Sequence, residues 1–287
     1  MDERSTLPGD VREPLSGALI GVIDCANQIL GDVSLVAGPQ PGTTAHAWVD
    51  GSNWSTGFSS IMQAMSTATD HSRAFATILG AQVEHGPSLA VLCRAFVEVA
   101  GRAWWLLDSK DGAQLEHRAA AMRFNEVRDS GETGVAARVR DGKYETVSHA
   151  DVLLEAERAL SRASVAGKRE KTPSYKPLAC GVMSAADIIK PDAKYSHLSA
   201  VAHGSGFSVG GLGARTPHEA GGFTRFTISL PIANAKQYLR INSRVLNVVL
   251  ERFIVLACSE SELGRWRHAH VHSHNRIVNI FDDLARR

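Results

Sequence analysis

The four cysteines, Cys25, Cys93, Cys180 and Cys258, lie far apart and form no C-x-x-C pair. Their spacing excludes a disulfide framework or a cysteine-rich zinc site and implies a reducing cytoplasm. Charge of one sign is equally lacking. Lys plus Arg number 31 against 30 for Asp plus Glu, a net charge of +1. Such a balance provides no global field for gathering nucleic acid or an anionic membrane, so any such binding must be local. Long apolar runs are absent too. The strongest, VLNVVLERFIVLAC, is broken by Glu251 and Arg252, short of the ~18 apolar residues of a membrane span. The opening MDERSTLPGDVR has no apolar centre of the kind a signal peptide needs. Residues 1–12 therefore read as a flexible N-terminus, and 13–287 as a single helical domain of a soluble, non-membrane protein.

Several chemistries are excluded by missing motifs. HGSGFSVGGLG follows a helical pattern and not a strand, and it lacks a G-K-[ST] ending, so neither a dinucleotide fold nor a P-loop is supported. GKREKT has Arg169 where a P-loop places Ser or Thr. No nucleophile elbow accompanies Ser199 and His203, and no Glu-x-x-His pair of the di-iron bundles occurs. No cofactor is expected. The tract HAHVHSH puts His268 and His272, or His270 and His274, on one helix face at ligand spacing. With no cysteine nearby and Asp282 and Asp283 two turns or more away, adventitious metal binding is the expectation, not a built metal site.

What the chain has is helical periodicity. Apolar residues recur three and four apart at Leu15, Leu19, Val22, Ile23 and Ile29, and further helices are predicted over 55–79, 113–128, 150–166 and 178–189. Pro87 and Ser88 open LAVLCRAFVEVAGRAWWLLD, apolar on nearly every side and so placed at the centre of the bundle. DSGETGVAARVRDGKYET reads as a loop or small hairpin. Seven glycines among the 19 residues from Gly204 to Gly222 predict a long, adaptable loop. FTRFTISL alternates like a short strand without an obvious partner. The longest pattern, 232–263, is divided by Gly264 from a last helix ending at Arg287. The fold class is all-α, a multi-helix bundle with a long glycine-rich loop and at most a minor β-hairpin.

Two polar stripes stand out. Arg94, Glu98 and Arg102 are the only charged residues between Ser88 and Leu107, and they are four apart. On an apolar cylinder such a stripe needs partners, because an unpaired buried charge costs several kcal/mol. The helix after Pro191 presents Tyr195, Ser199 and His203 at the same spacing. If the stripes face each other, His203 can move protons near neutral pH, Arg94 or Arg102 can hold a phosphate or carboxylate, and Glu98 can orient either. The same residues also suit a buried ion-pair network that fixes helix register, with His203 at a helix C-terminus and Gly204 as its stop. From Arg240 onward, eight arginines and no lysine face five acids, a local excess able to touch phosphates.

Tyr195, Leu198, Ser199, His203 and Gly204, together with RAFVEVAGRAWWLLD, resemble a group of bacterial helical proteins in the style of the HEPN superfamily. That resemblance implies a helical bundle, usually a homodimer, and in many members a metal-independent ribonuclease of toxin or phage-defence type. The superfamily hallmark is Arg, a polar residue, a few spacers and His on one helix. Arg267, His268 and His272 in RHAHVH match it. The resemblance implies that His203 or His272 is the general acid/base, that arginine stabilises phosphate charge, and that RNA or another phosphate-bearing ligand is the partner. A non-catalytic helical binding or assembly module with a structural polar network is the alternative from the residues themselves.

Overall fold

The computed structural model describes residues 6–33, 38–49, 56–81, 85–130, 136–140, 143–163, 170–217 and 224–287. Among them are eleven helices and two antiparallel hairpins. In chain order these are α1 Gly9–Asp32, α2 Thr44–Trp48, α3 Thr56–Gly80, α4 Gly86–Leu107, α5 Gly112–Ser130, β1 Ala136–Arg140, β2 Lys143–Val147, α6 His149–Ala163, α7 Tyr175–Ala185, α8 Pro191–Ala202, α9 Gly206–Gly210, β3 Gly213–Pro217, β4 Thr224–Ile228, α10 Ile232–Ala257 and α11 Glu260–Arg286. The all-α bundle class holds. No helix among the described residues is long and apolar enough to cross a membrane.

Helix α4 occupies the centre, packed by α3, α7, α8 and α10. Its composition dictates this position: Leu89, Ala90, Cys93, Phe96, Val97, Ala100, Ala103, Leu106 and Leu107 are all buried and lie around most of its circumference. Each large apolar side chain so buried contributes about 1.5–3 kcal/mol. Helix α1 packs on α3 and α11, and α5 pairs with α6 at the flank of α3. Phe58 of α3 stacks on Phe253 of α10 with ring centroids 6.3 Å apart, joining the two halves of the core.

The N-terminal segment differs from expectation from residue 6 onward. Thr6 bridges Pro231, the Leu7 N–H donates to the Leu230 carbonyl at 2.8 Å, and Leu7 is only 1% exposed. Residues 6–12 thus belong to the fold, with α1 beginning at Gly9, because Leu7 and Val11 continue its apolar face. Residues 1–5 lie outside the described set.

The glycine-rich segment is also more regular than a loop. Gly204, at φ 69°, closes α8 in a Schellman arrangement, with Ser205 N–H on the Ala200 carbonyl and Gly204 N–H on that of Val201. Helix α9 and strand β3 come next, and β3 is the partner that the FTRFTISL stretch lacked in the sequence. Alternation over so few residues is hidden where glycine supplies no side chain. Residues 218–223 lie outside the described set, as do 164–169, which include the start of GKREKT. The DSGETGVAARVRDGKYET stretch carries the β1–β2 hairpin. The final break falls at Cys258, extended at φ −125° and ψ 177°, with Ser259 at the N-cap position of α11. Gly264 lies inside that helix. The Gln40 N–H takes the Ala257 carbonyl at 2.9 Å, satisfying an acceptor freed at the end of α10.

One close approach fixes α4 against α7. A Cβ on Gly101 would stand 2.6 Å from the Leu178 carbonyl carbon and oxygen. Backbone cannot yield as a side-chain tip can, so Gly101→Ala should separate the helices and cost about 1–3 kcal/mol despite the better helix propensity of alanine. Thermal unfolding measures this, and an unchanged or raised midpoint would contradict so tight a packing of α4 on α7.

Candidate functional site

The α4 and α8 stripes meet at Glu98. Its Oε1 accepts from Arg94 Nε at 2.8 Å and from the Tyr195 hydroxyl at 2.7 Å. Arg94 lies one turn before Glu98 on α4, and Tyr195 is buried on α8. The Arg94 guanidinium also lies 5.9 Å from the Tyr195 ring centroid. Its Nη1 is 3.2 Å from Nε2 of His203, the residue that caps α8. Arginine has only donors, so in this contact Nε2 of His203 is the acceptor.

Two titrations reflect this geometry. Burial opposes the charge on Arg94, but the hydrogen bond and charge of Glu98 outweigh it, and its pKa lies above the usual range. Burial first, and the Glu98 carboxylate second, also raise Tyr195 above an ordinary phenol. Tyr195 therefore remains a hydrogen-bond donor across the physiological range, and Arg94 remains a cation.

The other expected residues do not join this group. Successive i, i+4 positions drift by about 40°, so Arg102 lies about 80° around α4 from Arg94. It donates to the Tyr175 hydroxyl at 2.7 Å and pairs with Glu126 of α5 at 2.6 Å. Its guanidinium lies 4.8 Å from the Tyr175 ring centroid. Arg102 thereby lines a different feature, a cleft of about 420 Å³ between α3, α4 and α5. Ser199 accepts the His203 N–H through its backbone carbonyl at 3.0 Å, and among the described residues no side-chain hydrogen bond ties it to Glu98. On α11, Arg267 pairs with Glu251 at 2.8 Å, its side chain 61% exposed, and His272 is exposed. Arg267 and His272 are five positions apart, about 140° around a helix, so the two point apart.

His197 is the residue that sequence spacing missed. Two positions beyond Tyr195, it points to the other side of α8. There its Nε2 lies 2.8 Å from the Tyr238 hydroxyl of α10 and 3.4 Å from Asn234 Nδ2, with its ring stacked 6.0 Å from that of Tyr238. Burial, then the charge of Lys194, lowers the pKa of His197. A second buried pair that spacing concealed is Arg118 of α5 with Glu170. Arg118 holds both carboxylate oxygens, at 2.9 and 2.8 Å, and donates to the Trp105 carbonyl at 2.6 Å. The hydrogen bond from Arg118 is the main reason that Glu170 titrates below the usual carboxylate range.

In the histidine tract, His270 and His274 share a face with Trp266. Trp266 and His270 stack at 6.0 Å, as do His270 and His274. His270 Nε2 lies 3.2 Å from Ser243 Oγ of α10. His268 and His272 are exposed. Among the described residues no three His, Cys, Asp or Glu side chains converge as a metal-binding group. No known protein family matches the chain, and comparison with curated proteins and with solved structures gives no significant match.

The histidines give the fold a pH dependence. His197, His270 and His274 all titrate below the ordinary value of 6.5, each chiefly through burial. Below pH 6.5 the unfolded chain then binds more protons than the folded one, so their contribution is intact above that value and is lost as pH falls. The unfolding midpoint should drop between about pH 7.5 and 5.5, and His197→Gln should flatten the profile. A midpoint independent of pH over that interval would contradict the burial of these rings.

Proposed function

We propose that the protein is a non-catalytic helical binding or assembly module in which Arg94, Glu98, Tyr195 and His203 hold α8 on α4. One observation carries this reading: the two arginines of the α4 stripe and the arginine of the RHAHVH match each already have a carboxylate. Arg94 lies on Glu98 at 2.8 Å, Arg102 on Glu126 at 2.6 Å and Arg267 on Glu251 at 2.8 Å. A paired cation presents little net charge to an incoming anion. Turning Arg94 toward a ligand would also take a donor from the largely buried Glu98, at a cost on the order of 1–3 kcal/mol.

A second reading, the HEPN-like ribonuclease acting as a homodimer, is favoured by one feature. His203 is exposed, with Nε2 held by Arg94 at 3.2 Å, and opening that one contact frees Nε2 to accept a proton as a general base does. In that reading His203 Nε2 takes the proton from the attacking 2′-hydroxyl as its oxygen bonds to phosphorus. The P–O5′ bond breaks, the imidazolium gives that proton to the departing 5′-oxygen, and Arg94 stabilises the phosphate charge.

Incubating the purified protein with labelled RNA in the presence of EDTA separates the two. The module predicts no cleavage above buffer, and it predicts that His203→Ala shifts stability by less than about 0.5 kcal/mol, because only one exposed hydrogen bond is lost. Cleavage by the wild type that disappears in a folded His203→Ala variant would overturn the module and establish the nuclease.

A further inference from the structure

On the α10 side of α8, a different set of cations is left without acids. Lys236, Arg240 and Arg244 succeed one another at four-residue spacing along α10, with about 6 Å of helix rise and 40° of turn per step. The row therefore winds through about 80° from the α11 side, at Lys236, toward the α7 end, at Arg244. Among the described residues none of the three has a carboxylate within ion-pair distance. Lys236 Nζ lies 5.7 Å from the Phe281 ring centroid, and Arg244 reaches only the backbone carbonyl of Asp187, at 3.5 Å. Glu251, further along α10, is paired with Arg267.

The stripe runs between two walls. On one side α11 places His270 and His274 against α10, and after burial the positive charges of Arg244 and Arg240 lower His274 further. Ser243, the residue before Arg244, meets His270 at 3.2 Å, and His274 stacks on His270 at 6.0 Å, which sets the His274 ring beside the stripe. On the other side, Asp187 comes just after α7, while Lys194 of α8 donates to Gln237. Arg244 reaches the chain just beyond α7, at the Asp187 carbonyl.

We infer that this face of α10 binds the phosphate backbone of a single-stranded nucleic acid, with Lys236, Arg240 and Arg244 contacting successive phosphates. A row of unpaired cations fits a linear polyanion, and the half-buried ring of His274 at its edge is a platform on which a base can stack. A chain of net charge +1 gains little from long-range attraction, so the contact depends on these local cations. The bound strand is a partner for the module proposed above and rests on that reading, but it touches none of the residues in the α4–α8 network.

Fluorescence anisotropy of a labelled single-stranded oligonucleotide, with the full chain and a gel to check that the strand stays intact, tests it. Binding should weaken steeply between about 50 and 200 mM salt. The double variant Arg240→Ala, Arg244→Ala should bind about tenfold more weakly at the lower salt, with a log–log salt slope smaller by about 1.4, from ~0.7 per lost phosphate contact. Arg240→Gln, Arg244→Gln, which keeps part of the side-chain stem, should behave the same while circular dichroism and the unfolding midpoint match the wild type. Arg286→Ala, Arg287→Ala removes equal charge from the C-terminus and should leave affinity unchanged. Absence of binding at low salt, equal loss in the C-terminal control, or attachment only to phosphatidylserine vesicles would overturn the inference. A strand that is bound through α10 but cut overturns the non-catalytic reading alone.

Discussion

A carboxylate set into the side of an apolar helix has to be answered from a neighbouring element, and Glu98 is answered from α8. That requirement bears heavily on α8 because the helix has little else to hold it. Of its twelve residues only Tyr195, Leu198 and Val201 are buried. Leu198 and Val201 contribute about 1.5–3 kcal/mol each by apolar burial. Hydrogen bonds to a charged group contribute about 1.5–3 kcal/mol, so the contacts at Glu98 rank with the packing. On its other side His197 ties α8 to Tyr238. Polar bonds in two directions therefore register a short helix between α4 and α10.

The position of α8 governs the path of the next part of the chain. Gly204 turns the backbone through φ 69°, α9 and the β3–β4 hairpin follow, and Leu212 before the hairpin and Leu230 after it are buried in the core. Ser229 at the base of the hairpin sits so close to α4 that a Cβ on Gly86 would lie 2.6 Å from its carbonyl oxygen. Leu230 then receives the N-terminal segment through the Leu7 N–H at 2.8 Å. A chain of contacts thus leads from one half-buried carboxylate on α4 to the hairpin, to the start of α10 and to the beginning of α1.

Much of this was legible in the sequence, for an identifiable reason. The α4 and α8 stripes were visible because four-residue spacing on an otherwise apolar helix has few explanations, and Arg94, Glu98, Tyr195 and His203 do converge. Arg102 shared the spacing but not the destination. A drift of 40° per step is small for one turn and decisive over two, and Glu126 and Tyr175 come from elements whose position no local pattern reveals. His197 was hidden by the opposite effect, since a residue two places from a recognised stripe is read as facing solvent, and only a third helix makes that face interior. In RHAHVH the density of histidines imitated a motif, whereas the structure sends His268 and His272 outward and His270 toward Ser243. Strand β3 could not be seen because its pairing with β4 is a tertiary fact about a glycine-rich stretch.

Arg94, Glu98 and Tyr195 should act as one unit that holds α8 to α4. A double-mutant cycle on Glu98→Gln and Tyr195→Phe, read by denaturant unfolding at neutral pH, measures whether they do. Residues sharing a hydrogen bond in one network should couple by about 0.5–3 kcal/mol, the double variant being less destabilised than the sum of the single ones. Additivity within about 0.3–0.5 kcal/mol would show that the two side chains do not depend on each other, and would contradict a polar unit as the hold of α4 on α8.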